Sequence, residues 1–168
     1  MNRSSLIEAF GGEHQEALAW LNRLDEALDK VAAVGEFTGE TRAVVHGFSD
    51  FLKKALLTHF HLEEVALFPV LGQVVGTDSG PIAVMLVEHK DIERDQQVIE
   101  RGLEDATPDV RQVLSAGRNV IAVLSQHIHK EDNVLFPMAY RFLNEAQLAE
   151  VDRLAKEDAA IKPVAWEH

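Results

Sequence analysis

The sequence predicts an all-α fold, an antiparallel up-down-up-down four-helix bundle with a short C-terminal helix and tail. Four long stretches place apolar residues three and four apart, the period of a helix with one buried face. No stretch alternates apolar and polar residues as a half-buried strand would. The connections between the periodic stretches are short, which favours antiparallel neighbours.

The first helix is expected over residues 12–34, where Leu18, Leu21, Leu24, Leu28 and Val31 form the stripe and His14 extends it inward. Gly35 reads as its stop, and Thr38 and Gly39 as a loop with a cap for the next element. The second helix runs from about Thr41 to Leu71, with Val45, Phe48, Leu52, Leu56, His59, Glu63, Leu67 and Val70 near one line and Pro69 near its end. After a loop from Gly72 to Gly80, Pro81 opens a third helix reaching Glu104. His89 is its polar exception among Met85, Ile92, Ile99 and Leu103. Thr107 then caps a fourth helix that starts at Pro108 and runs towards Leu143. Val113, Val120, Leu124, His127, Glu131 and Leu135 face inward on it, and Pro137 is placed to kink or interrupt it. Asn144 to Gln147 resembles a capping box opening a terminal helix through Leu148, Val151 and Leu154. In the aperiodic tail, Trp166 is placed to pack back on the bundle.

One domain is expected over residues 1–168, with its core at about 12–143 and the C-terminal helix and tail over 144–168. A chain of 168 residues with 46% hydrophobic content can bury an adequate core. Its formal charge of −12 disfavours nucleic acid, whose affinity comes from basic side chains on phosphates, and anionic membrane surfaces for the same reason. No apolar run approaches the ~20 residues of a membrane span, and the one near the N-terminus is too short for a secretory signal. We therefore expect a soluble, cytoplasmic protein. The sequence has no cysteine, which excludes disulfides, a thiolate nucleophile and cysteine-held iron–sulfur clusters. Any metal must be held by nitrogen and oxygen.

The chemistry concentrates in a repeat. The segment from His59 to Pro69 returns as His127 to Pro137, with His59/His127, Glu63/Glu131, Leu67/Leu135, Phe68/Phe136 and Pro69/Pro137 in matching positions. Residues four apart on a helix lie one turn apart on one face, so each His/Glu pair offers an imidazole and a carboxylate to one point. Two such pairs on opposed helices can enclose two metal ions, each carboxylate bridging with its two oxygens and each imidazole ending on one ion. His14 and His89 can add one nitrogen each. Such a site suits iron, manganese or zinc. A lone inward His or Glu is ordinarily a hydrogen-bonded core residue. Burying all six together without a cation would cost several kcal/mol for each desolvated charge, which favours ligation.

These residues, His14, His59-x-x-x-Glu63, His89 and His127-x-x-x-Glu131, with Leu-Phe-Pro after both pairs, resemble the hemerythrin-like, or HHE cation-binding, family. The resemblance spans His14 to about Leu154. It implies a non-haem centre of two iron ions, oxo- or hydroxo-bridged, with Glu63 and Glu131 as bridges, and zinc or manganese as lesser alternatives. It also implies dioxygen, nitric oxide or peroxide as the small-molecule ligand. Ferritin-like bundles use Glu-x-x-His instead. One departure stands out: oxygen-carrying members have a further histidine four residues after that of the third helix, where this chain has Glu93. As a terminal ligand, Glu93 would favour ferric iron and move the expectation from oxygen carriage towards redox, peroxide or sensing chemistry. As a solvated carboxylate, it would leave the centre unchanged.

Among the remaining polar residues, His61 and His129 are expected to face outward or sideways, and His46 and His168 to be surface groups. Glu64 and Asp132 read as solvated, and Glu88 as a candidate for lining an access path. Phe48, Phe51, Phe60 and Phe68 read as core packing. The leading expectation is a stand-alone domain binding or reacting with a small oxygen or nitrogen species, with catalase-like or ferroxidase-like catalysis left open. An iron- or redox-sensing module acting through an unknown protein partner is the alternative. A structural bundle with a zinc site is the third.

Overall fold

The structure, a computed structural model, describes residues 3–161, so Trp166 and His168 lie outside the described residues. These residues form five helices and no strand. Helix α1, Ser5–Val34, starts seven residues before its expected first turn at Gly12. The Ser4 hydroxyl accepts the Ile7 N–H, while Asp152, far along the chain, accepts from the Ser4 hydroxyl at 2.5 Å and from the Ser5 and Leu6 N–H groups at 3.0 and 3.1 Å. A carboxylate arriving from the last helix satisfies donors that the first turn leaves open, and local sequence carries no sign of it. At the other end, Gly35 stops α1 in the left-handed conformation at φ 85°, as its position predicts.

Helix α2 is a continuous run over residues 39–75, capped by Thr38 in a reciprocal box with Thr41. Its α-helical pieces Gly39–Phe51, Leu57–Leu62 and Phe68–Val75 are joined by wider π-helical turns at Leu52–Leu56 and Glu63–Leu67. Helix α3 is Pro81–Glu104, as expected. Helix α4 covers residues 110–142, with a π turn at Glu131–Leu135 between Val110–Lys130 and Phe136–Phe142. Its cap is Asp109 rather than Thr107: the Asp109 side chain accepts the Gln112 N–H at 3.2 Å, and Pro108 stays outside the helix. Helix α5, Glu145–Ile161, opens on the predicted capping box, in which Asn144 and Gln147 exchange backbone-to-side-chain hydrogen bonds of 2.9 and 2.8 Å.

Neither Pro69 nor Pro137 ends its helix. Each lacks an N–H, and its ring crowds the carbonyl four residues back, at Val65 or Asn133. The turn before each proline is widened instead, so that the Phe68 and Phe136 N–H groups reach the Glu63 and Glu131 carbonyls, five residues away. The repeated Leu-Phe-Pro therefore marks a π turn that begins on each paired carboxylate.

Helix α1 packs against α2 and α4, and α3 against α4 and α2, an arrangement that fits a four-helix bundle. Helix α5 packs against α1 and the Glu63–Leu67 turn. The apolar interior is split in two. One cluster includes Ala17, Leu56, Ile92 and Leu124; the other includes Phe10, Leu67, Met85 and Leu135. On each of α1 to α4, the sequence passes from one cluster to the other across His14, His59/Glu63, His89 or His127/Glu131. A polar layer thus crosses the bundle between two apolar ones. Among the described residues, no helix is long and apolar enough to cross a membrane.

Candidate metal centre

All six residues of that layer, His14, His59, Glu63, His89, His127 and Glu131, are at most 3% exposed. They converge. Donor atoms of His14, His59 and Glu131 lie within 4.8 Å of one another, and those of Glu63, His89 and His127 do the same. The members of each sequence pair therefore divide between two triads, where the four-residue spacing alone suggested a shared point. Each carboxylate also reaches across. Glu131 Oε1 is 3.7 Å from His14 Nε2 and 2.6 Å from His127 Nε2, while Glu63 Oε1 is 3.5 Å from His59 Nε2 and 3.2 Å from His89 Nε2. Two donors ~2.1 Å from one ion at right angles would be ~3.0 Å apart, so these separations suit carboxylates shared between two cations.

The observation that tests the fit is which polar atoms go unpartnered. Among the described residues, the buried side-chain atoms without a hydrogen bond are Nε2 of His14, His59, His89 and His127 and both carboxylate oxygens of Glu63 and Glu131. Buried polar groups are otherwise nearly always paired. Here eight of them face one another. Even the 2.6 Å contact between His127 Nε2 and Glu131 lacks hydrogen-bond alignment. Lone pairs that converge in a dry interior repel unless a cation sits among them, and imidazole with carboxylate is a donor set for a borderline transition metal. The residues present fit a metal site.

The opposite face of every imidazole is committed. Nδ1 of His14 pairs with Asp132 at 2.7 Å, that of His59 with Glu13 at 2.5 Å, that of His89 with Glu64 at 3.1 Å and that of His127 with Glu88 at 3.1 Å. An ionised carboxylate can only accept, so each Nδ1–H donates and the lone pair stays on Nε2, pointing inward. Each carboxylate comes from a neighbouring helix. Aromatic rings complete the walls: Phe60 stacks on His89 with ring centroids 4.0 Å apart, Phe10 packs on His59 at 4.2 Å, and Phe136 stacks on His14 at 5.5 Å.

Electrostatics within the layer favours charge on Glu63. Burial pushes the Glu63 carboxyl up, but His59, His89 and His127 around it outweigh that and hold it below the ordinary carboxylate range. For His89, burial opposes protonation, yet the neighbouring Glu63 and Glu64 carboxylates raise its imidazole above the usual value. His127 goes the other way, because burial dominates the pull of Glu88.

A family model for the hemerythrin HHE cation binding domain matches residues 5–139. The chain belongs to this hemerythrin family. Two relatives named iron-sulfur cluster repair protein YtfE, from Yersinia pseudotuberculosis serotype IB (strain PB1/+) and Yersinia pestis (strain Pestoides F), are each 32% identical over 145 residues. The alignment covers 82% of this chain, and the chain spans 64% of the length of those relatives. No solved structure matches it.

Within this hemerythrin-like domain, one expected donor is not brought to the layer: the Glu93 side chain is exposed and belongs to neither triad. The buried line on α3 runs Met85, His89, Ile92, Gln96, Ile99, so the step inward from His89 is three residues and Glu93 falls beside the seam. Glu64 is exposed and Asp132 and Glu88 are half-buried, yet each holds an imidazole of the layer through Nδ1, as does Glu13. The signal was adjacency: each of these acids sits next to a residue of the layer, in Glu13-His14, Glu63-Glu64, Glu88-His89 and Glu131-Asp132. His61 is half-buried and pairs with Asp158 at 3.0 Å, while His129 and His46 are exposed. Phe48, Phe60 and Phe68 are buried in the core; Phe51 is half-buried and stacked on Trp20.

Proposed function

We propose that this hemerythrin-like domain holds two iron ions between its triads and uses them to bind or react with dioxygen, nitric oxide or peroxide. The observation that carries the reading is the set of eight buried donor atoms without a partner, four imidazole nitrogens and four carboxylate oxygens. Iron there would supply a change of valence and coordination positions left over for a small ligand. Divided over two ions, the eight unpartnered donor atoms would give four each, fewer than the six of an octahedral site. The remaining residues act on this centre in plain ways. Glu13, Glu64, Glu88 and Asp132 fix the imidazole tautomer, Phe10, Phe60 and Phe136 keep bulk water away from the rings, and the two apolar clusters hold the helices that carry the ligands.

The test is to purify the protein without added metal, quantify bound metals, and record optical spectra of the reduced form before and after dioxygen, nitric oxide and peroxide. Two equivalents of iron and a spectral change with at least one of these species support the proposal. Absence of stoichiometric iron, or a loaded protein inert to all three, overturns it. A second reading takes its support from the relatives named for iron–sulfur cluster repair: the same centre would handle iron for a damaged cluster. Restoration of a cluster-dependent enzyme by the iron-loaded domain, without any response to the three small ligands, would favour it.

A further inference from the structure

The four carboxylates behind the imidazoles are not alike. Glu13, Glu64 and Asp132 leave 45%, 43% and 33% of their side chains exposed, and among the described residues none has a lysine or arginine within ion-pair distance. Glu88 is only 15% exposed and divides its charge: Oε1 faces His127 Nδ1 at 3.1 Å, and Oε2 accepts from Lys130 Nζ at 2.6 Å. His14 and His59 of one triad are thus both backed by a carboxylate without a cation. In the other triad His89 is backed by such a carboxylate and His127 is not.

A carboxylate on Nδ1–H makes the imidazole a better donor at Nε2, because it stabilises the positive charge that the ring acquires on ligating a cation. An ammonium held on that carboxylate draws off part of the effect. It also adds a positive charge of its own on the flank of the triad, and burial at Glu88 weakens the screening that would hide it. Resting on the two-ion reading above, we propose that Lys130 makes the two metal positions unequal. The position formed by Glu63, His89 and His127 binds its cation more weakly than the position formed by His14, His59 and Glu131. Lys130 is a positioning residue here, acting through Glu88.

The experiment is a calorimetric titration of the metal-free protein with Co2+, followed in parallel by its ligand-field absorption. The native protein should bind two equivalents in two resolved steps. Lys130→Met should tighten the weaker step alone and narrow the ratio of the two constants about tenfold, the low end of what partners of this kind contribute. Lys130→Arg should retain the separation. In His89→Ala the surviving step should be the tighter one. Circular dichroism of each metal-free variant reports folding, and Lys130 is 37% exposed, so its replacement opens no buried hole. Two equal steps in the native protein, or a Lys130→Met change that is absent or shared by both steps, overturns the inference and leaves the two-ion reading intact. Failure of the native protein to bind Co2+ overturns both.

Discussion

His14 on α1 and Asp132 on α4 are joined by a hydrogen bond of 2.7 Å from Nδ1–H to a carboxylate oxygen, although 118 residues separate them. The bond leaves Nε2 of His14 as an inward lone pair. Asp132→Asn keeps the shape but loses the charge, and its amide can offer a donor where an acceptor is required. Metal affinity should fall roughly 10- to 100-fold, with little change in helicity. Competition against a chelator of known affinity measures this, and an unchanged constant would show that the imidazole needs no such support.

The unpartnered layer is also a stability statement. Glu63 and Glu131 contribute all four of the unpaired carboxylate oxygens. Replacing both by leucine should raise the unfolding free energy of the metal-free protein by roughly 1–4 kcal/mol, as when buried charges give way to packed apolar groups. The same variant should lose metal binding. Ligand at 1,000 times its dissociation constant stabilises the native state by about 4 kcal/mol, so metal should raise the native melting temperature and leave the variant's alone. Urea unfolding with and without metal checks both halves.

Glu93 offers a sharper contrast. Exposed and outside both triads, it should tolerate Glu93→Gln with metal stoichiometry and affinity unchanged. A loss of metal in that variant, measured by elemental analysis, would contradict the placement.

Tyr140 is the single tyrosine of the chain, so tyrosinate absorbance reports on it alone. Burial first, and then its hydrogen bond to Glu8, push its hydroxyl up to about 12. A group whose pKa is raised by folding contributes stability that is complete below its unfolded value and lost as pH rises through the folded one. Native stability should therefore decline between about pH 10 and 12 as this contribution disappears. Glu8→Gln should lower the native midpoint, and a spectrophotometric titration with and without denaturant measures both quantities.

Close helix packing gives a mutation away from the metal layer. A Cβ added at Gly117 on α4 would lie 2.7 Å from Leu28 Cδ1, and Leu28 is fully buried. Overpacking of this kind costs about 1–3 kcal/mol, against about 1 kcal/mol gained from helix propensity. Gly117→Ala should be destabilised by about 1 kcal/mol, visible as a lower urea midpoint with an unchanged slope.

The all-helical character and the six buried layer residues were legible because both follow from period: apolar residues at threes and fours, and His/Glu pairs four apart on the same stripe. What escaped depended on partners distant in sequence or on a break in that period. Asp152 caps α1 from the far end of the chain, which hid seven residues of helix. The π turns at Glu63–Leu67 and Glu131–Leu135 add a residue per turn and carry both helices on past Pro69 and Pro137, an adjustment that the apolar period does not announce. Glu93 could be read either way from spacing, and the buried line on α3 takes a step of three after His89, which leaves Glu93 beside the seam. Glu13, Glu64, Glu88 and Asp132 were visible as neighbours of the layer residues, but an acid beside such a residue on one helix says nothing about which neighbouring helix it will reach.

The contacts behind the imidazoles form a closed, one-way circuit: α1 gives to α4 through His14, α4 to α3 through His127, α3 to α2 through His89, and α2 back to α1 through His59. Every helix gives one such contact and receives one. Sliding any of them along its axis by a turn, about 5.4 Å, would break two contacts at once. The circuit therefore serves as a latch on the axial register of the bundle, set in the one layer where apolar packing, which tolerates slippage, has been replaced by groups that do not.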